Sequence, residues 1–430
     1  MKVQNLLIIS LLASSYQAQA VTETWDGGDA SNNAWGAALN WADNTITFGN
    51  ELDIVYDGGT DTASNFLGAN RTIRSLTYTS FPSTGHTMNM ASGGGISRDL
   101  TFEADSGNST VTINVNKLIT WAEGATFDAG GNGDVILNND LDIVHNGSGV
   151  FRINSEIKDG TGSNKITLSG GGIVELRPAN ATTDTDPTTG NTFGGGLEIQ
   201  NGSVRVFMSD TKGANSALST GAITLSGATT ADSTLIIGTT GTVLTETITN
   251  NFTLNNGGGT ISVGNASANA TFSGVISGTG DLRKTGNGDI TLSGANTFTG
   301  DLDNQNNGTI FLASTGELTF EIGASGVNNG IVGAAIGSLD LDGIFNFDLA
   351  AAGSGLTDEW TIIQADLLAN TTFGSNFSVA GFTGDSGVWT SGIYEFSQST
   401  GLLTVVPEPS SYALLGGLLA LSWVMVRRRS

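Results

Sequence analysis

The chain has 430 residues, including 62 glycines and no cysteine, and it carries a formal charge of −24. The lack of cysteine excludes disulfide staples, thiolate metal sites and cysteine nucleophiles. The acidic excess argues against nucleic acid and anionic lipid as partners, because both require clustered lysine and arginine.

The first 20 residues, MKVQNLLIISLLASSYQAQA, have the pattern of a signal peptide. Lys2 precedes an apolar stretch, and the segment ends in a small-x-small sequence at Ala18 and Ala20. Signal peptidase cleaves after such a sequence. We therefore predict that the mature chain begins at Val21 and that its body lies outside the cytoplasm.

Residues 21–60 are predicted to form a Trp-rich N-terminal cap. Trp25, Trp35 and Trp41 lie there in a frame of glycine and asparagine. An elongated repeat structure must cover its open end, and large apolar rings are suited to that role. Stacking of sugar rings on these tryptophans is the alternative.

Short alternating runs predict an all-β body over residues 61–340. Runs such as VTINVN (111–116) and DITLSG (289–294) alternate apolar and polar residues between glycine, asparagine and aspartate. This alternation is typical of half-buried strands. It fits a stacked repeat array, and it also fits a compact β-sandwich.

An internal repeat lies within this body, at 282–310 (LRKTGNGDITLSGANTFTGDLDNQNNGTI) and, in a weaker interrupted form, near 166–204. Each copy predicts a strand, a glycine turn, a strand and a polar Asn-Thr-Phe corner, with Phe193 and Phe298 inside one coil each. The pattern resembles the autotransporter-associated β-strand repeat. The resemblance implies a right-handed parallel β-helix (β-solenoid) on a surface-exposed protein.

Residues 341–406 are denser in aromatic side chains and are predicted to form a C-terminal β cap. Beyond them, the segment 409–426 carries no charge and is just long enough to cross a bilayer as a helix. Arg427, Arg428 and Arg429 follow it, and basic residues stay on the cytoplasmic side. The sequence therefore predicts one C-terminal transmembrane helix with the body outside.

The whole segment 407–430 resembles the PEP-CTERM sorting signal of Gram-negative bacteria, because Pro407, Glu408 and Pro409 precede the apolar helix and the arginines. In that family a membrane enzyme, exosortase, removes the helix and passes the protein to the surface, often in species that make exopolysaccharide. The resemblance implies processing by exosortase in addition to signal peptidase. A GPI signal is less consistent, since it would end in the apolar tail.

GDSG at 384–387 contains Ser386, a weak candidate for a serine nucleophile. Such a serine needs a histidine base and a buried acid. The chain has only His86 and His145, and neither sequence context resembles that of a serine protease. We predict a plain turn at Ser386 and solvated or coil-lining histidines.

Aspartates are the remaining candidates for catalysis or for Ca²⁺ binding. Polysaccharide lyases and hydrolases built on parallel β-helices use clustered carboxylates, sometimes with Ca²⁺. Aspartate is also a common turn residue, and we favour that role. The candidate sets are Asp53, Asp57 and Asp61, and the pair Asp140 and Asp142.

Thr245, Thr247 and Thr249 share one face of a predicted strand. Stacked coils would extend such a face into a flat array like that of ice-binding solenoids, although threonine is simply a good strand former. This role is a minor alternative.

Together these patterns predict an exported structural or adhesive β-solenoid at the cell surface or in an exopolysaccharide matrix. It is expected to have no catalytic and no cofactor-binding residues, and to be anchored by its C-terminal helix until processing. The alternative is a polysaccharide-active enzyme or a carbohydrate- or ice-binding protein on the same scaffold.

Overall fold

The chain forms an all-β parallel solenoid with three faces. The computed structural model describes residues 20–29, 31–57, 64–80, 85–90, 98–123, 133–178, 190–206, 215–238, 245–255, 257–407, 417–419, 421–425 and 427. Strands of successive coils pair in parallel along long sheets. The β-sandwich alternative is therefore wrong, because the sheets of a sandwich are built from antiparallel neighbours.

The first face is a ten-stranded sheet that takes one strand from each successive coil. Its strands are β1 (Val21–Trp25), β2 (Leu52–Asp57), β5 (Ser75–Ser80), β8 (Ser109–Ile113), β11 (Leu141–His145), β14 (Ile166–Ser169), β16 (Leu197–Ile199), β18 (Ile223–Leu225), β21 (Phe252–Leu254) and β24 (Ile276–Gly278).

The second face is an eleven-stranded sheet. Its strands are β3 (Ser64–Phe66), β6 (Gly85–Met90), β9 (Leu118–Glu123), β12 (Val150–Asn154), β15 (Ile173–Leu176), β17 (Gly202–Val206), β19 (Ser233–Ile237), β22 (Gly259–Val263), β25 (Leu282–Thr285), β27 (Leu302–Asn304) and β30 (Ile331–Gly333). At a strand spacing of ~4.8 Å this face is roughly 50 Å long.

The third face consists of two sheets, and each of its strands except the last comes directly after a strand of the second face in chain order. The first sheet contains β4 (Arg71–Ile73), β7 (Leu100–Phe102), β10 (Val135–Leu137) and β13 (Ile157–Asp159). The second contains β20 (Thr245–Ile248), β23 (Asn269–Phe272), β26 (Asp289–Leu292), β28 (Thr309–Leu312), β31 (Ser338–Leu341) and β34 (Thr371–Phe373). Short helices are α1 (Asn215–Leu218), α2 (Ala365–Leu368) and a 3₁₀ turn at Ala38–Asn40.

The period-two alternation produces this coil because every second side chain points inward. Inward positions align between neighbouring strands and form continuous buried aliphatic rows. Each such side chain contributes about 1.5–3 kcal/mol relative to an exposed one. One row on the first face is Ile143, Leu168, Ile199, Leu225 and Leu254.

The Asn-Thr-Phe corners of the repeat serve the same purpose in both copies. Asn191 Oδ1 accepts a hydrogen bond from the Ile157 amide at 2.8 Å, and Asn296 Oδ1 accepts one from the Ile276 amide at 3.0 Å. Phe193 and Phe298 are buried, as predicted. Each asparagine thus satisfies the first amide of a strand in the preceding coil.

The two copies of the repeat occupy different faces. In the weaker copy the two strands before the corner are β14 and β15, on the first and second faces. In the stronger copy they are β25 and β26, on the second and third faces. The repeat is therefore a unit of two strands and a corner, and it is not tied to one face of the coil.

The tryptophans at the N-terminal end lie in the core. Trp25 meets Trp41 edge to face at 5.2 Å, and Trp35 Nε1 donates a hydrogen bond to Tyr56 Oη at 2.8 Å. All three tryptophan rings are buried. Sugar stacking on them is therefore wrong, because stacking needs an exposed ring face.

The C-terminal end is covered by an antiparallel sheet. Parallel pairing continues before it in a three-stranded sheet of β29 (Glu317–Glu321), β32 (Ile344–Asp348) and β35 (Ser378–Val379), so the predicted cap 341–406 contains solenoid strands as well. The antiparallel strands, in sheet order, are β33 (Glu359–Thr361), β39 (Leu402–Val405), β38 (Tyr394–Ser397), β37 (Val388–Ser391) and β36 (Thr383–Asp385).

Within the part of the chain that the structure describes, no helix has the length and apolar character that crossing a membrane requires. Residues 417–419, 421–425 and 427 are helical. The rest of 408–430 lies outside the described residues, as do residues 1–19 of the predicted signal peptide. The transmembrane segment 409–426 stays a prediction.

Candidate functional site

A cleft of about 660 Å³ opens on the first face, where the ten-stranded sheet gives way to the three-stranded one. The segment 296–300 makes the transition, because the Thr297 amide donates to the Ile276 oxygen while the Asn296 amide donates to the Glu317 oxygen. The lining of the cleft includes apolar as well as polar side chains, and the polar ones are acidic residues, threonines and asparagines. Those that can contact a ligand include Asp281, Asp301, Glu321, Asn328, Asn329 and Asp348.

The cleft is strongly acidic. Burial raises the pKa of Asp301, and the carboxylates of Asp281 and Asp303 add to the effect, against a hydrogen bond from the Gly330 amide at 2.7 Å. The described residues that line the cleft include no lysine, arginine or histidine. Such a cleft can accept hydrogen bonds from sugar hydroxyls and repels anions, and its carboxylates are the groups that could exchange protons with a ligand.

The aspartates of the first predicted set have structural partners. Asp53 accepts hydrogen bonds from Arg74 Nε at 2.9 Å and from Ser75 Oγ at 2.5 Å. Asp57 accepts one from Thr79 Oγ1 at 3.0 Å. Asp61 lies outside the described residues. The sequence did not indicate that Arg74 lies beside Asp53, because Arg74 is 21 residues away, at the corner before the next coil.

The second predicted set, Asp140 and Asp142, is also held by the fold. Asp140 Oδ1 accepts the Lys165 amide at 2.8 Å, and Asp142 Oδ2 accepts Asn108 Nδ2 at 3.0 Å. Asp53 and Asp142 share one outward row of the first face, three strands apart. That separation is roughly 14 Å, beyond the ~5–9.5 Å between the two carboxyls of glycosidases.

Ser386 lies in an exposed turn between β36 and β37, with a φ of 53°. Its hydroxyl donates to Asp385 Oδ1 at 2.9 Å. His86 and His145 are buried in β6 and β11, in early coils. Burial lowers the pKa of His145, which keeps it neutral. The plain turn and the coil-lining role are confirmed.

The threonine array is short. Thr247 on β20 aligns with Thr271 and Thr291 on the third face, but the next residues in that row are Phe311 and Asp340. The side chain of Thr245 is outside the described part of the chain, and Thr249 follows the strand. The aligned threonines span only three strands, so the hydroxyl surface that they form is much smaller than the third face.

A carboxylate pair that the sequence did not reveal lies on the third face. Lys158 Nζ contacts Asp134 Oδ2 at 2.8 Å and Glu156 Oε2 at 2.6 Å. Burial raises the pKa of Asp134 to about 6, although Lys158 opposes the shift. Asp134 ends a glycine-rich stretch, GGNGD at 130–134, and only the coil register brings it to Lys158. The ammonium occupies the space between the carboxylates, which favours a structural role.

No group of three or more His, Asp or Glu side chains arranged to hold a metal ion exists among the described residues. Of the predicted processing residues, Ala20, Pro407 and Arg427 are described, whereas Ala18, Glu408, Pro409, Arg428 and Arg429 are not. The signal-peptidase site and the sorting signal therefore stay predictions.

The described residues thus form a parallel β-solenoid with a mainly apolar interior and polar outer faces, and an acidic cleft opens on the first of these faces. No protein-family model, curated protein or solved structure matches the chain. The resemblances to the autotransporter-associated repeat and to the PEP-CTERM signal consequently remain predictions that depend on the quoted sequence motifs.

Proposed function

We propose that this chain is an exported structural or adhesive protein, a right-handed parallel β-helix displayed at the cell surface or in an exopolysaccharide matrix. The observation that carries the proposal is the parallel solenoid, in which ten successive first-face strands pair side by side with aliphatic rows inside and polar side chains outside. A rigid scaffold of this kind presents long regular surfaces for contact with glycans or neighbouring cells.

Processing through a PEP-CTERM/exosortase-type system is the second part of the proposal. The signal peptide directs the body out of the cytoplasm, and the C-terminal helix holds it at the membrane until exosortase acts. Prolines at 407 and 409 lack amide hydrogens and favour an extended backbone, which a processing enzyme can bind.

The test is to replace Pro407, Glu408 and Pro409 with alanine in an exosortase-positive host. The unchanged chain should give a larger membrane-bound species and a shorter species at the surface or in the matrix. The variant should give only the larger one. An exosortase-deleted strain expressing the unchanged chain is the control. Persistence of the shorter species in the variant would refute the sorting proposal.

A polysaccharide-active enzyme is the second candidate, because Asp134, with its pKa raised to about 6, lies beside Glu156 and Lys158. Incubation with acidic polysaccharides should release neither unsaturated nor reducing ends. Release that disappears in Asp134→Asn, while the variant remains folded, would establish the enzyme instead.

A further inference from the structure

Three arginines converge on one buried carboxylate on the second face. Arg152, Glu175 and Arg205 align on neighbouring strands β12, β15 and β17, and Arg177 follows directly after β15. Glu175 accepts hydrogen bonds from Arg152 Nε at 2.6 Å and from Arg205 Nη1 at 2.7 Å, and Arg177 Nη2 lies at 3.3 Å. The Glu175 side chain is 2% exposed, while each arginine remains more than a quarter exposed.

This arginine cluster, formed by Arg152, Glu175, Arg177 and Arg205, has more positive charge than its carboxylate needs. Three cations and one anion leave a formal charge of +2, in a chain of −24 with only 16 lysines and arginines. Burial lowers the pKa of Arg177, and Arg152 and Arg205 lower it further, against the effect of Glu175. A bound anion would relieve this repulsion.

The guanidinium groups of Arg152 and Arg205 also retain donors for a ligand. Each carries five N–H groups in a planar fork that matches carboxylate geometry. Arg152 and Arg205 each direct one hydrogen bond to Glu175, which leaves the others for partners at the surface. Along the outward row, the next residues on either side are neutral, Thr120 and Ile236.

The surroundings of the cluster suit an extended sugar chain. Ser203 and Thr234 lie side by side in the neighbouring outward row of the same face, and their hydroxyls can bond to sugars. Arg152 and Arg205 are two strands apart, roughly 10 Å. A nucleic-acid backbone, with a charge every ~1.7 Å, would meet a stronger repulsion from this acidic chain than a sugar chain with its sparser carboxylates does.

We propose that the arginine cluster is a binding site for a polysaccharide whose sugars carry carboxylates. The inference rests on the proposed function, since it names the chemical class of the exopolysaccharide that the solenoid contacts. The carboxylates of the ligand lie across the guanidinium groups, and the sugar hydroxyls lie along the row of serine and threonine.

The test measures binding of the purified full-length protein to polygalacturonate by calorimetry at low and high salt. Arg205→Gln should weaken binding at least tenfold, because it removes a charge-assisted hydrogen-bond donor. Arg283→Gln is the matched control, since Arg283 is paired with Asp303 at 2.9 Å on the same face, and it should change affinity less than twofold. Thermal unfolding checks that each variant folds.

A second variant acts in the opposite direction. Glu175→Gln removes the internal anion and should tighten polygalacturonate binding, whereas a purely structural ion cluster would show only lower stability. Equal affinities for Arg205→Gln and Arg283→Gln would overturn the inference. A DNA oligomer that binds as tightly as polygalacturonate, with the same dependence on Arg205, would overturn the assignment to a polysaccharide.

The outcomes separate this inference from the proposed function. If polygalacturonate does not bind, or binds independently of the cluster, while the alanine replacement at 407–409 still blocks processing, only the inference fails. If the cluster binds polygalacturonate but processing does not depend on residues 407–409, the sorting part of the proposed function fails and the inference stands. As a control, the affinity for neutral dextran should be the same for the unchanged chain and for every arginine variant.

Discussion

Lys284 donates a hydrogen bond from Nζ to the backbone oxygen of Gly286 at 2.9 Å, in the interior of a coil. Its side chain aligns with Ile261 in the preceding coil and Asn304 in the next, and it has no exposed surface. Burial lowers the pKa of Lys284 to about 8, against the attraction of Asp289. The repeat thus places an ionisable group among aliphatic rows.

The first prediction follows from this lowered pKa. Between about pH 8 and 10.5 the unfolded chain binds more protons at Lys284 than the folded chain, so the free energy of unfolding should rise with pH. The penalty is fully present below pH 8 and amounts to about 3 kcal/mol at most. Lys284→Met should therefore show a flatter profile in chemical denaturation across this range.

Lys165→Met is the control for this experiment. The pKa of Lys165 is raised by its hydrogen bond to Glu198, so its removal should not flatten the alkaline rise. An unchanged profile for Lys284→Met would mean that Lys284 is solvated in the folded protein.

The second prediction concerns Asp134. Its pKa is raised to about 6, so the folded chain binds more protons than the unfolded chain between about pH 4 and 6. This contribution to stability is present below pH 4 and is lost as the pH rises through 6. Asp134→Asn should remove the decline, as measured by urea denaturation at several pH values.

Asp342 offers a control of opposite sign for Asp134. Its pKa is lowered by hydrogen bonds from Asn376, so Asp342→Asn should reduce stability above pH 4 and have little effect below it. If Asp134→Asn behaves as Asp342→Asn does, the carboxyl of Asp134 is not desolvated.

The third prediction tests the interior position of Phe298. Phe298→Asp should lower the free energy of unfolding by more than about 3 kcal/mol, because it leaves a cavity and an unpaired charge inside the coil. Phe298→Leu keeps an apolar side chain and should cost considerably less. A thermal midpoint that does not move in Phe298→Asp would place this residue at the surface.

The fourth prediction tests the asparagine corner. Asn296 Nδ2 donates to the Gly294 and Glu317 oxygens while its Oδ1 accepts the Ile276 amide. Asn296→Ala leaves the buried Ile276 amide without its partner and removes one of the two hydrogen bonds to each of the Gly294 and Glu317 oxygens, so it should cost about 1–3 kcal/mol. The exposed Asn108, which bonds to Asp142, is the control, and Asn108→Ala should change stability by less than about 0.5 kcal/mol. If Asn296→Ala and Asn108→Ala lowered stability equally, the hydrogen bonds of Asn296 at the corner would not be specially important.

Much of the fold was predictable because it follows from local pattern. Alternation identifies strands such as β26 without knowledge of their partners, and the positions of Phe193 and Phe298 follow from the spacing of the repeat. The sites were less predictable. Lys158 reaches Asp134 one coil earlier, 24 residues away, and no short motif encodes that contact.

The sequence by itself determined that strands form, where they turn and that the interior is apolar, because these properties depend on side-chain period and on glycine and asparagine at corners. Only the tertiary structure decided which coil residues align, since coil length varies from 20 residues, between Ile276 and Asn296, to 35, between Ala104 and Asn139. A change of one coil length shifts every later residue to new neighbours. The convergence of Arg152 and Arg205 on Glu175 depends on that register.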